Sequence, residues 1–111
     1  MIKKVQVSEK IDALEGRSWN PIELAKTNGQ VIRLAYFFGD YHWHRHQEGD
    51  ELFYVYRGKI TVKLQNQEDV HLSAGELIII PKNVDHCPTS EKGAFVLLFE
   101  PQELISEGIN K

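Results

Sequence analysis

Three of the chain's five histidines fall within five residues, in His42-Trp43-His44-Arg45-His46. In an extended segment alternate side chains share a face, so His42, His44 and His46 are expected to point one way and Trp43 and Arg45 the other. Two imidazoles one strand repeat apart can chelate a single ion without bending the backbone, and a downstream carboxylate can complete the set. Two registers compete. One uses His42 and His44 with Glu48, the other His44 and His46 with Glu51. Glu51 opens a strand in phase with Phe53 and Val55, so its carboxylate points into an apolar interior, where a charge is costly unless it is paired or bound to a cation. Glu48 lies in the turn-like Gln47-Glu48-Gly49-Asp50, where water solvates it. The register with Glu51 is favoured.

The elements that must position these groups read as short strands. Ile22 to Lys26 and Val31 to Phe38 flank Asn28-Gly29, the dipeptide best suited to a tight hairpin. Glu51 to Tyr56 ends at Arg57-Gly58. Lys59 to Leu64 then alternates, with Ile60, Val62 and Leu64 on one face. Asp69 to Leu72 follows a turn at Asn66-Gln67. Leu77 to Ile80 lies between Gly75 and Pro81, and Ala94 to Phe99 follows the break at Glu91-Lys92-Gly93. Ahead of the strands, Ser8 could cap a short helix over Glu9 to Leu14 that Gly16 stops. The tail from Gln102 reads as a helical turn or a frayed end. Short strands with regular turn signals indicate an all-β sandwich or barrel.

With 111 residues, the chain fits one domain with a modest closed core. Its 41% hydrophobic and 26% charged residues are those of an ordinary globular protein, and a net charge of -3 argues against nucleic acid or an anionic membrane as partner. The N-terminus lacks the apolar core of a signal peptide and no stretch approaches a membrane span. With one cysteine, Cys87, no internal disulfide can form, so the expected location is cytoplasmic.

The motifs carry a family resemblance. His44-Arg45-His46, four residues, Glu51, six residues and Gly58 resembles the first cupin motif. Gly75, five residues, Pro81, Lys82, Asn83, two residues and His86 resembles the second. Gly58 falls into place only in the register with Glu51. The chain departs from the pattern in three places. Four residues, not the usual five, separate Gly39 from His44, and Asn83 stands where glycine is usual, a turn that asparagine also tolerates. The asparagine usual after the second-motif histidine is absent, because His86 leads into Cys87-Pro88-Thr89-Ser90.

The resemblance implies a small cupin, a jelly-roll β-barrel (double-stranded β-helix) over residues 31–111. An N-terminal extension over residues 1–30 would pack on the barrel or on a partner. It also implies one divalent transition-metal ion (Mn, Fe, Ni, Co or Zn) held by His44, His46, Glu51 and His86, with two coordination positions left open. Phe53 and Val55, in phase with Glu51, and His42 at the rim are candidate pocket residues. The function expected is action on a small organic molecule inside the barrel by dioxygenase- or isomerase-like chemistry. The alternative is a non-catalytic binding or sensing module with an anchoring metal. Exposed strand edges and the otherwise idle N-terminal segment suggest a homodimer.

The remaining conspicuous residues read as structural. His71 is expected at the surface and Cys87 as a small buried thiol. Trp43, Tyr54 and Tyr56 are expected on the outer face, Arg33 as an exposed strand arginine, and Glu48, Asp50, Glu68 and Asp69 as solvated surface.

Overall fold

Asn28-Gly29 turns the chain with positive φ at both residues (53° and 75°), joining β1 (Ile22–Thr27) to β2 (Gln30–Asp40) through a two-residue loop. The structure is a computed structural model and describes residues 2–103. After β2 come β3 (Glu51–Leu64), β4 (Val70–Ser73), β5 (Leu77–Ile80) and β6 (His86–Pro101). All pairings are antiparallel, in the order β1-β2-β6-β3-β4, with β5 also paired to β3. This is an all-β fold of the cupin jelly-roll type. Because β1 pairs along β2, the barrel sheet begins at Ile22, inside the segment read as an extension. Of the tail, only Gln102 and Glu103 fall within the described residues, in a turn.

Two expected breaks are bends within strands. Arg57-Gly58 and Glu91-Lys92-Gly93 read as turns, yet β3 and β6 each run through them. The register between these strands shifts near both sites, pairing Leu52 to Gly58 with Phe99 to Ala94 and Thr61 to Leu64 with Thr89 to His86. A glycine in the left-handed region lets a strand turn a corner through a bulge without ending. Gly58 (φ 90°) has no room for a side chain, since a Cβ would lie 2.6 Å from the Gly93 carbonyl oxygen. Each long strand thus serves both halves of the barrel.

The N-terminal helix differs from expectation in detail. α1 covers Val7–Lys10 and continues as a 3-10 turn over Ile11–Leu14. Gln6, not Ser8, occupies the capping position and makes no side-chain capping bond. The stop is a left-handed pair, Glu15 and Gly16. Leu14 is the buried residue of this segment.

Alternation decides the two faces of the sheet. Phe37, Phe53, Val55, Ile60, Val62, Leu72, Ile80, Val96 and Leu98 belong to one buried apolar cluster. Trp43 is exposed, whereas Tyr54 and Tyr56 are half-buried on the face of β3 opposite Phe53 and Val55. Cys87 is buried and burial pushes its thiol up, and His71 is exposed with its ring bonded to the Thr61 hydroxyl (2.8 Å). Glu48, Asp50, Glu68 and Asp69 are all exposed.

Candidate metal centre

The histidine-rich segment is not a regular strand. Residues 41–50 link β2 to β3, and within them His44 makes one isolated bridge, to His86. His44 N–H donates to the His86 carbonyl (3.0 Å) and His86 N–H returns the bond to His44 (2.9 Å). Asn83 N–H donates to the carbonyl of His46 (2.7 Å), so the turn before β6 is tied to the segment that carries the first two histidines. Asn83 adopts the left-handed conformation (φ 65°) expected where glycine is usual. These main-chain bonds bring His86 beside residues some forty positions earlier.

His44, His46, Glu51 and His86 are all buried, and one ligand atom from each lies within 4.8 Å of the others. His44 Nδ1 lies 2.9 Å from the His42 carbonyl oxygen, and His86 Nδ1 lies 2.9 Å from that of Val84. A carbonyl can only accept, so Nδ1 carries the proton in both rings and Nε2 presents a bare lone pair. His86 Nε2 faces Oε1 of Glu51 at 3.7 Å with no hydrogen bond at either atom, and His46 Nε2 lies 3.2 Å from the same oxygen. A bare His86 nitrogen turned towards a buried carboxylate oxygen is unfavourable, and a cation between them removes the conflict. Metal–nitrogen and metal–oxygen bonds of about 2.1 Å place opposed ligands about 4.2 Å apart, so the observed cluster is already close to the required size. The residues fit a divalent ion.

Electrostatics favour the same reading. Burial, with a further contribution from neighbouring His86, lowers the pKa of His44 to about 4, so the ring is neutral and ready to ligate at pH 7. Burial alone would raise Glu51, but the neighbouring polar groups, His46 first and the carboxyl of Glu100 among them, outweigh it and hold Glu51 below the usual carboxylate range. Glu100 moves the other way, raised by burial and then by the Glu51 carboxylate beside it. Like charges this close cannot both form at no cost, so the proton of the pair resides on Glu100.

Glu100 escaped the sequence reading, although its signal was there. It continues the inward alternation of Ala94, Val96 and Leu98 by one more step, on a strand assumed to stop at Phe99. Arg33 corrects the expectation of an exposed arginine. In phase with Val31, Ala35 and Phe37 it faces inward, its side chain 17% exposed, and pairs with Glu100 and, at 3.9 Å, with Glu23.

A small cavity opens beside the cluster, with His44 and Glu51 in its wall. Phe53 lines it as expected. Val55 and His42 do not: Val55 is fully buried in the apolar cluster, one inward step further along β3, and His42 stacks on Tyr41 (3.8 Å between ring centres). The carbonyl of His42, and not its ring, serves the site. Trp19, Phe37 and Tyr41 complete an aromatic wall that sequence alternation alone did not reveal.

Comparison with known proteins identifies the family. A profile of the cupin domain matches residues 39–99, a span that contains all four clustered residues. The chain belongs to the cupin family. Among solved structures, this cupin is similar to a cupin-2 domain containing protein from Shewanella frigidimarina, with 28% identity, a TM-score of 0.84, and 88% of this chain and 94% of that one covered. It is also similar to protein NMB1881 from Neisseria meningitidis, with 26% identity, a TM-score of 0.82, and 90% and 100% covered. Of the curated relatives, uncharacterized protein YdbB of Bacillus subtilis is 36% identical over 63 residues, 57% of this cupin and 56% of that protein. The 3-hydroxyanthranilate 3,4-dioxygenase of Danio rerio is 35% identical over 71 residues, 61% of this cupin and 24% of that protein. The chain therefore spans about half the length of one curated relative and about a quarter of the other. Among the described residues no helix is long and apolar enough to cross a membrane.

Proposed function

We propose that this cupin holds one divalent transition-metal ion through His44, His46, Glu51 and His86 and acts on a small organic molecule in the adjoining cavity, by dioxygenase-like chemistry in the favoured version. The observation that carries the reading is the convergence of four buried candidate ligand groups beside a cavity. Similarity to 3-hydroxyanthranilate 3,4-dioxygenase supports the choice of reaction class. A bound ion supplies Lewis-acid polarisation and, where it is redox-active, the means to engage dioxygen. The carbonyls of His42 and Val84 hold two imidazoles in the ligating tautomer. Glu100 keeps a proton next to Glu51, and Arg33 stabilises the Glu100 carboxylate when that proton leaves.

Elemental analysis of the purified protein is the first test. His46→Ala and His86→Ala each lower metal content severalfold, whereas His71→Ala, remote on β4, leaves it unchanged. Equal loss in all three overturns the ligand set. Oxygen-uptake and isomerisation screens on the loaded protein then address the reaction. A redox-inert metal with no turnover overturns the oxygenase version in favour of a binding or sensing role.

We also propose a homodimer formed through the outer sheet face. Two rows of outward side chains, Ile32-Phe99-Leu52-Ile79 across four paired strands and Leu97-Tyr54-Leu77 across three, carry no charge. Leu77 and Ile79 are more than half exposed. An uncharged apolar face suits face-to-face packing of two like sheets and offers nothing to a charged partner. Light scattering is expected to give twice the monomer mass, and a monomer that persists at high concentration overturns the proposal.

A further inference from the structure

Trp19 lies in the segment between the 3-10 turn and β1, outside the residues matched by the cupin profile. Its backbone is in the left-handed region (φ 59°), an outlier for a bulky aromatic residue. Such a conformation persists when its surroundings over-determine it, and here they do. Trp19 N–H donates to the Tyr36 carbonyl (2.8 Å), the indole Nε1–H donates to the Phe38 carbonyl (2.9 Å), and Ser18 bridges Tyr36 in parallel. Upstream, the left-handed pair Glu15 and Gly16 redirects the chain. The strain and both hydrogen bonds serve one outcome, which is to lay an indole across the cavity next to the metal centre.

The indole joins a continuous aromatic wall. It packs against Phe37 (4.4 Å between ring centres, 31° between planes) and against Tyr41 (4.8 Å, 26°). Tyr41 in turn meets His44 edge-on (5.1 Å, 88°). The wall therefore leads onto a metal-ligand candidate. Among the described residues no lysine or arginine lines the cavity, so none of them offers a fixed cation to a ligand's carboxylate or phosphate. Apart from His44, Glu51 and Tyr41 the lining offers little to hydrogen-bond with, which disfavours sugars. Stacked aromatic pairs contribute beyond simple area burial, so such a wall favours a flat π-system over an aliphatic molecule of equal size.

We propose that Trp19 is a specificity-determining residue, and that the cavity takes a flat aromatic ring whose oxygen donor reaches the metal centre. This rests on the metal reading above for the oxygen donor, but not for the ring.

The test uses the full chain loaded with nickel(II), with the metal content verified, and two bidentate oxygen donors, catechol and lactate. Catechol is expected to bind at least about tenfold more tightly than lactate, and Trp19→Ala to weaken catechol about tenfold while lactate binding and nickel content stay constant; tenfold corresponds to about 1.4 kcal/mol. Trp19→Phe, which keeps a ring and guards against misfolding, is expected to recover most of the loss. Metal-free protein carrying Trp43→Phe leaves Trp19 as the lone tryptophan, and phenol is expected to quench its fluorescence saturably. Equal weakening of catechol and lactate, or no change in either, overturns the assignment, as does unsaturable phenol quenching. If nickel fails to bind while phenol still quenches saturably, the metal reading fails and the ring site stands.

Discussion

The inward faces of β3 and β6 carry two different interiors along the same strands. At one end lie Glu51 and Glu100, with His44, His46 and His86 around them. A few residues further along, the same faces present Val55, Ile60 and Val62 on β3 and Ala94 and Val96 on β6, packed with Leu72 from β4. Both halves are equally dry, but burial has opposite consequences in them. In the apolar half each buried methylene contributes about 0.8 kcal/mol to folding. In the polar half burial drives His44 to the neutral form and forces a proton onto Glu100. The apolar half supplies the stability against which the polar half can be held in a conformation that suits an ion more than it suits the empty fold.

Truncation in the apolar half is expected to break the contrast most severely. Leu72→Ala removes a nearly fully buried side chain and should cost about 2–5 kcal/mol in urea unfolding, with metal content per folded molecule unchanged. Loss of metal in this variant without loss of stability would mean that the two halves are not separable.

Acid should expose the other half. The folded-state pKa of His44, about 4, is lower than the ordinary value of 6.5, so the folded protein resists its protonation. Its contribution is present above pH 6.5 and is lost as pH falls towards 4, up to about 3 kcal/mol for the metal-free protein. His44→Gln should lack this component, so the stability difference between wild type and variant should shrink across that window. A constant difference would show that His44 does not titrate as its burial implies.

The smallest effect is expected on the alkaline side. The pKa of Glu100 is raised on folding, so its contribution is full below pH 4.5 and is lost as pH rises through the raised value. Arg33 limits that loss because it pairs with the carboxylate once it forms. Glu100→Gln should flatten the alkaline decline of the metal-free protein, read from urea midpoints at pH 7 and pH 9.5, and an unchanged decline would remove Glu100 as its source.

Much of this barrel was legible because its signals are local. Asn28-Gly29 required a hairpin whatever surrounded it, and alternation along β3 placed Glu51 on the inward face with Phe53. Gly58 and Gly93 were correctly read as interruptions and incorrectly as ends. The same positive φ that closes a turn also bends a strand, and only the partner strand determines which occurs. Arg33 was misjudged because residue type was given more weight than phase. Its inward position follows from Val31, Ala35 and Phe37, and only a buried acid on another strand makes it tolerable.

The sequence by itself determined the family, the strand-rich architecture and the identity of the four residues that cluster, because motif spacing and two-residue periodicity are properties of the chain alone. Tertiary structure decided the rest. It brought His86 against His44 through paired main-chain bonds, set Glu100 and Arg33 behind Glu51, and carried Trp19 across the cavity. These are contacts between residues from 22 to 67 positions apart, for the pairs Trp19 and Tyr41, His44 and His86, and Arg33 and Glu100. No local pattern encodes such contacts, because what stabilises each of them is a partner supplied by a different strand.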